Sequence, residues 1–224
     1  MIDVVLLVED KNDVSFFRDF ILKNYCDSDI KKQKYVTEKE YEITVGNKKI
    51  VVTDTNKGST ETENTGGWAK LKNQINSNFF IKLKAENENI KFISLFDADE
   101  DKSDNISKKE KDIQDWLNGK KTTINRFYLP FNNNESHNLE QLLELSFNKN
   151  ITPCWDDFIS CIVNDRNADA TIPSSKKGKI IVYKDLYSSI RNKNNEYLSE
   201  MWNLDTTTNE HLKPLKGFLD QFLK

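Results

Sequence analysis

The chain predicts an α/β protein: a mostly parallel sheet flanked by helices, with a β-hairpin insertion and a helical C-terminal extension. Two apolar runs, Val4-Val5-Leu6-Leu7-Val8 and Phe92-Ile93-Ser94-Leu95-Phe96, each end abruptly in acidic residues. Amphipathic helical spacing follows the first run at once, and strand and helix patterns then alternate to about residue 147.

Taken in order, strand 4–8 opens the chain. Asp13 is the predicted N-cap of a helix over 14–25, whose Val14, Phe17, Phe20, Ile21 and Leu22 form one broad apolar face. Residues 41–45 and 48–53 alternate around Gly46-Asn47, a two-residue turn suited to a hairpin. That hairpin is either an insertion or the source of the second sheet strand. Residues 55–67 are polar and read as a loop closing on Gly66-Gly67, ahead of a helix over 68–83. Strand 91–96, an acidic loop, helix 106–117 and strand 123–129 continue the alternation, and Leu139, Leu142, Leu143 and Phe147 mark a further helix. Helices over 155–163, 180–191 and 211–223 complete the chain. The expected division is an α/β domain over 1–149 and a helical extension over 150–224 packed on the same core.

Of the 224 residues 37% are hydrophobic and 31% charged, and 13 Phe, 7 Tyr and 4 Trp supply bulk for a core. The tryptophans, in apolar helical patterns, read as core. Lys+Arg at 33 against Asp+Glu at 36 leaves a net charge of −3, so any nucleic-acid surface must be local. Clusters such as Lys31-Lys32 and Lys176-Lys177 with Lys179 read first as solvated faces. Cys26, Cys154 and Cys161 lack CxxC spacing and read as reduced, packed thiols. The chain begins with a strand instead of a charged leader, and no apolar run spans a membrane, so a cytoplasmic protein is expected. His137 and His211 are too isolated for a zinc site, and nucleophile-elbow, P-loop and dinucleotide motifs are absent.

Chemistry in an open α/β sheet gathers outside the carboxyl ends of parallel strands. Asp97 and Asp99 would point the same way if strand geometry ran on through Ala98, with Glu9 approaching from the neighbouring strand. Carboxylates converging there call for a hard divalent cation, Mg²⁺ or Mn²⁺. The bland alternative is an acidic surface turn over 97–104. An EF-hand fails, because Lys102 stands where Gly is needed and Lys108 where Glu is needed. A phosphoreceiver reading draws on Leu6-Leu7-Val8-Glu9-Asp10, but Asp97 follows Glu9 by 88 residues, a wider separation than that compact fold uses.

Val8-Glu9-Asp10-Lys11-Asn12-Asp13 and Leu95-Phe96-Asp97-Ala98-Asp99 together resemble the Toprim domain of topoisomerases, bacterial primases, small-RNA maturases and the overcoming-lysogenization-defect nucleases. The first motif departs from the Toprim pattern at Asp10, where glycine is customary; the second matches fully. Gly66-Gly67 falls where many Toprim proteins carry a glycine turn. Phe127-Tyr128-Leu129-Pro130-Phe131-Asn132, with Leu139-Glu140 after it, is similar to small stand-alone Toprim-like proteins of unassigned function.

This resemblance implies that Glu9 shuttles a proton or holds metal, and that Asp97 and Asp99 bind metal. In the nuclease branch Asp13 would join them, with Glu140 as the additional acid and Lys184 as a late lysine for transition-state charge. Lys11, Gly66 and Gly67 would lie against nucleic acid. Asp10 would either repel substrate or help hold a second cation. The implied function is a Mg²⁺- or Mn²⁺-dependent hydrolysis of phosphodiesters in DNA or RNA. The alternative is a non-catalytic metal- or nucleotide-binding module serving a larger complex. Nucleic acid is the expected partner, with a protein partner or a second copy of the chain as further candidates.

Overall fold

A computed structural model describes residues 1–26, 33–37, 40–55, 70–72, 74–98, 106–118, 120, 122–132, 138–165, 175–191 and 195–224. Among them are six strands: β1 (Val4–Val8), β2 (Gln33–Thr37), β3 (Glu40–Val45), β4 (Lys48–Asp54), β5 (Lys91–Asp97) and β6 (Ile124–Leu129). The helices are α1 (Lys11–Tyr25), α2 (Gln74–Glu86), α3 (Ile106–Leu117), α4 (Leu139–Glu144), α5 (Thr152–Asp165), α6 (Ser175–Leu186) and α7 (Lys213–Leu223).

The strands form one mixed sheet in the order β2-β3-β4-β1-β5-β6. β4, β1, β5 and β6 run parallel, while β3 pairs antiparallel with both β2 and β4. The hairpin around Gly46 therefore supplies the second parallel strand, β4, together with the antiparallel strand β3, beyond which β2 forms the edge. Gly46 has φ of 57°, a conformation open to glycine without steric cost. Strand β2, Gln33-Lys34-Tyr35-Val36-Thr37, is not among the strands expected from sequence, because it follows directly on a lysine cluster; main-chain pairing to β3 carries it.

Counting parallel strands alone, the order is second, first, third, fourth. The chain therefore winds one way from β1 to β4 and the other way from β4 onward, which puts a topological switch point between β1 and β5. Right-handed crossovers then place α1 on one face and α2 and α3 on the other. The core divides accordingly. Val4, Leu6 and Val8 pack with Phe17, Phe20 and Ile21 of α1, whereas Val5 and Leu7 pack with Phe80 and Leu83 of α2 and Ile113 of α3. Alternation along β1 thus feeds two separate cores, which explains its unbroken apolar run.

Residues beyond 149 contribute to the α1 face: Ile180, Tyr183, Tyr197, Trp202, Leu215 and Leu219 are buried in the same cluster as Leu6. Here details differ from expectation. Helix α6 starts and ends earlier than the predicted 180–191, because 187–190 fold into turns. Trp202 is buried but lies outside any helix, bridging to Phe147. Cys26 is packed, whereas Cys154 and Cys161 are exposed on α5, whose apolar spacing does not turn them inward. Trp68 and the predicted start of α2 lie outside the described residues. Among the described residues no helix is long and apolar enough to cross a membrane.

Candidate active site

The turn that leaves β1 sets the first carboxylates. Helix α1 starts at Lys11, ahead of the predicted residue 14, and its N-cap is Asp10 instead of Asp13. Asp10 Oδ1 accepts the N–H groups of Asn12 at 2.6 Å and Asp13 at 3.2 Å, and Asp13 Oδ2 accepts the Asp10 N–H at 3.3 Å. This reciprocal capping box satisfies donors that a helix start leaves open. It also gives Asp10 a structural role at the position where the Toprim pattern has glycine.

Asp97 is the last residue of β5, two residues past the parallel pairing of Val8 with Leu95. Its backbone N–H donates to Glu9 Oε1 at 3.1 Å. Its own Oδ1 accepts the N–H of Leu139 at 2.9 Å, which ties the start of α4 to the sheet. Glu140, the next residue of α4, pairs with Lys177 of α6 at 3.3 Å. Further along α6, Lys184 donates to the Tyr197 hydroxyl at 2.8 Å and pairs with Glu196 at 2.9 Å.

These groups share one cavity of about 600 Å³. Glu9, Asp10, Asp13, Asp97 and Glu140 give it an acidic side, while Lys177, Ile181 and Lys184 of α6 and Arg191 give it a basic, partly apolar side, closed by Glu196 and Tyr197. Burial, followed by the charges of Asp10, Asp97 and Glu9, pushes the Asp13 carboxyl well above its ordinary range. Glu140 foremost, with Asp97 and Asp10, raises the Lys177 ammonium in turn. Tyr197, 1% exposed, is pushed up by burial and then by the acids around it.

Five residues singled out from sequence therefore line the same cavity: Glu9, Asp13, Asp97, Glu140 and Lys184. Lys11 is exposed and is not part of its wall. Asp99, Gly66, Gly67 and His137 lie outside the described residues. His211 is exposed, its ring 6.5 Å from that of Phe131, away from the cavity. Sequence reasoning missed Lys177 as a site residue, together with Arg191, Glu196 and Tyr197. Lys177, Ile181 and Lys184 recur at helical spacing, a signal that could have marked one face of α6. Nothing local could have brought Tyr197 to Asp13.

Among the described residues no three His, Cys, Asp or Glu side chains are grouped tightly enough to hold a metal ion directly. The acids line a common space instead of forming a closed cage. No protein-family model, no curated protein and no solved structure matches this chain. Fold and site together define an α/β protein with a mixed six-stranded sheet and an acidic cavity at the carboxyl ends of two adjacent parallel strands.

Proposed function

We propose that this chain is a divalent-metal-dependent phosphodiester hydrolase of Toprim type, acting on DNA or RNA with Mg²⁺ or Mn²⁺. The observation that carries the reading is the cavity at the β1–β5 switch point, where Glu9, Asp13, Asp97 and Glu140 converge from four segments and face two lysines of α6. Open α/β sheets bind their ligands at such points. The resemblance of the two strand-end motifs to Toprim domains supports the same chemistry.

The donor set fits a hard cation. Every acidic group in the wall offers carboxylate oxygen, and the Asp13 carboxyl, raised first by burial and then by Asp10, Asp97 and Glu9, is a site where a bound cation would favour the charged form. Magnesium usually keeps several waters, so carboxylates spread around a cavity can hold it in part through them. Glu9, Asp13, Asp97 and Glu140 would hold the ion. When bound, it would polarise a phosphoryl oxygen and lower the pKa of a water. Glu9, fixed by the Asp97 N–H, is oriented to hold or move a proton, and Lys184, anchored by Tyr197, to meet negative charge on phosphate.

One observation favours the second reading, a metal- or nucleotide-binding module without catalysis: the absence of a three-carboxylate cage among the described residues. Incubating the native chain and an Asp97→Asn, Glu9→Gln variant with single-stranded DNA, double-stranded DNA and RNA, plus Mg²⁺ or Mn²⁺, separates the two. Metal-dependent cutting lost in the variant supports the hydrolase. Equal background in both, alongside cation binding by the native chain, supports the module.

A further inference from the structure

We infer that Lys177 is the resident counter-ion of the acidic cavity, and that a divalent cation binds by displacing its ammonium from Glu140. This rests on the metal-dependent reading proposed above and adds a competitor built into the chain.

The geometry distinguishes Lys177 from Lys179 and Lys184 of α6. Lys179 is 6% exposed and is held by Glu144 at 2.6 Å, as part of the packing between α6 and α4. Lys184 is held twice, by Glu196 at 2.9 Å and by the Tyr197 hydroxyl at 2.8 Å, with its side chain 15% exposed. Lys177 is held by Glu140 at the longer distance of 3.3 Å, and its side chain is 65% exposed. An ion pair that reaches solvent in this way is weak. Its flexible stem lets the ammonium leave without disturbing Ile180 and Tyr183, which root the helix in the core.

The charges give the displacement its direction. Lys177 lines the cavity with Glu9, Asp10, Asp13 and Asp97 besides its partner, so several carboxylates attract whatever cation sits there. A divalent ion interacts with each of them twice as strongly as an ammonium does at equal distance. Through the waters it keeps, it would also reach carboxylates on β5, α1 and α4 that lie too far apart to ligate it directly, which a single ammonium on α6 cannot. Both cations need Glu140, so occupancy by one excludes the other, and the coupling is reciprocal.

The test is Mn²⁺ binding by isothermal titration calorimetry at neutral pH and low salt, with the native full chain, Lys177→Gln and, as a control that removes the same charge outside the cavity, Lys213→Gln. Thermal unfolding of each metal-free protein establishes that the variants are folded. Lys177→Gln should bind Mn²⁺ about tenfold more tightly than native, the effect of removing one nearby unit charge at an intermediate dielectric. Lys213→Gln should change affinity by about twofold or less, because Lys213 is paired with Glu210 on the surface and is not part of the cavity wall, so its charge is largely screened from the cation. Equal affinity of native and Lys177→Gln, or equal gains in both variants, overturns the displacement while leaving the metal-dependent reading intact. No Mn²⁺ binding by any of the three proteins overturns that reading and the inference together.

Discussion

The backbone N–H of Asp97 donates to Glu9 Oε1 across 3.1 Å, tying the end of β5 to the first residue beyond β1. The Asp97 carboxylate in turn accepts the Leu139 N–H at 2.9 Å, so two bonds join three segments that are distant in sequence. Register makes this contact possible: Val8 lies opposite Leu95, so Glu9, one residue on, emerges beside the end of strand β5. A cavity carboxylate is thus also a structural acceptor, and charge and shape at this position can be changed separately.

Replacing Asp97 by Ala should therefore cost stability as well as cation binding. The Leu139 N–H loses its acceptor, an effect of about 1–2 kcal/mol. Asp97→Asn keeps an oxygen in place and should stay within about 0.5 kcal/mol of native, while losing the charge. Urea unfolding in EDTA separates the two; an Asn variant as unstable as the Ala variant would refute the assignment.

Asp13 gives the cavity a pH signature. Burial, then Asp10, Asp97 and Glu9, raise its carboxyl in the folded protein, whereas the unfolded chain titrates at about 3.9. Between those two values the native state binds more protons than the unfolded state, so stability falls as pH rises. Asp13→Asn removes this liability and retains an oxygen for the Asp10 N–H. In EDTA the variant should match native below about pH 4 and exceed it at pH 7. Thermal melts across this range check it, and a variant that is less stable at pH 7 would contradict the raised carboxyl.

Much of this arrangement was legible in the sequence, for reasons that particular residues make plain. The apolar runs of β1 and β5 are long and end in acids, so both strands and the side on which Glu9 and Asp97 emerge could be read directly. Glu140 follows Leu139 in a short helix whose apolar spacing is clear. The start of α1 was misplaced because Asp10 and Asp13 are equally good caps by composition, and only the reciprocal hydrogen bonds choose between them. Lys177 was hidden in a lysine cluster that reads as solvated surface. Tyr197 was out of reach, since a buried ion pair within α1 holds its backbone.

The thiols should divide two to one. Cys154 and Cys161 are exposed, and seven residues apart on one helix they lie about 10.5 Å from each other along its axis, too far to bridge without distortion. Cys26 is 8% exposed, with its thiol directed at the Thr44 carbonyl. Titration of the native protein with an aromatic disulfide reagent should release two equivalents quickly and the third only on unfolding. Rapid release of all three would mean that Cys26 is not packed against Thr44, and rapid release of only one that α5 is placed differently.

Arg18 and Asp19, both fully buried on α1, form two hydrogen bonds of 2.6 and 2.8 Å. Asp19 Oδ2 also accepts the Tyr197 N–H at 2.6 Å, and the Arg18 guanidinium lies 4.6 Å from the centre of the Tyr41 ring. The pair therefore fastens the wall segment that carries Tyr197 to the helix whose N-terminus carries Asp13. Removing one member strands the other charge in the core, so Asp19→Ala and Arg18→Ala should each cost about 3–5 kcal/mol. Replacing both with apolar residues of similar volume, Arg18→Met with Asp19→Leu, should recover most of that loss. The recovery should not extend to Tyr197, whose amide loses its acceptor in every variant lacking Asp19. Hydrogen exchange at that amide, measured beside urea unfolding, should be faster in the double variant than in native at equal global stability. Unchanged protection would show that Asp19 does not hold the cavity wall.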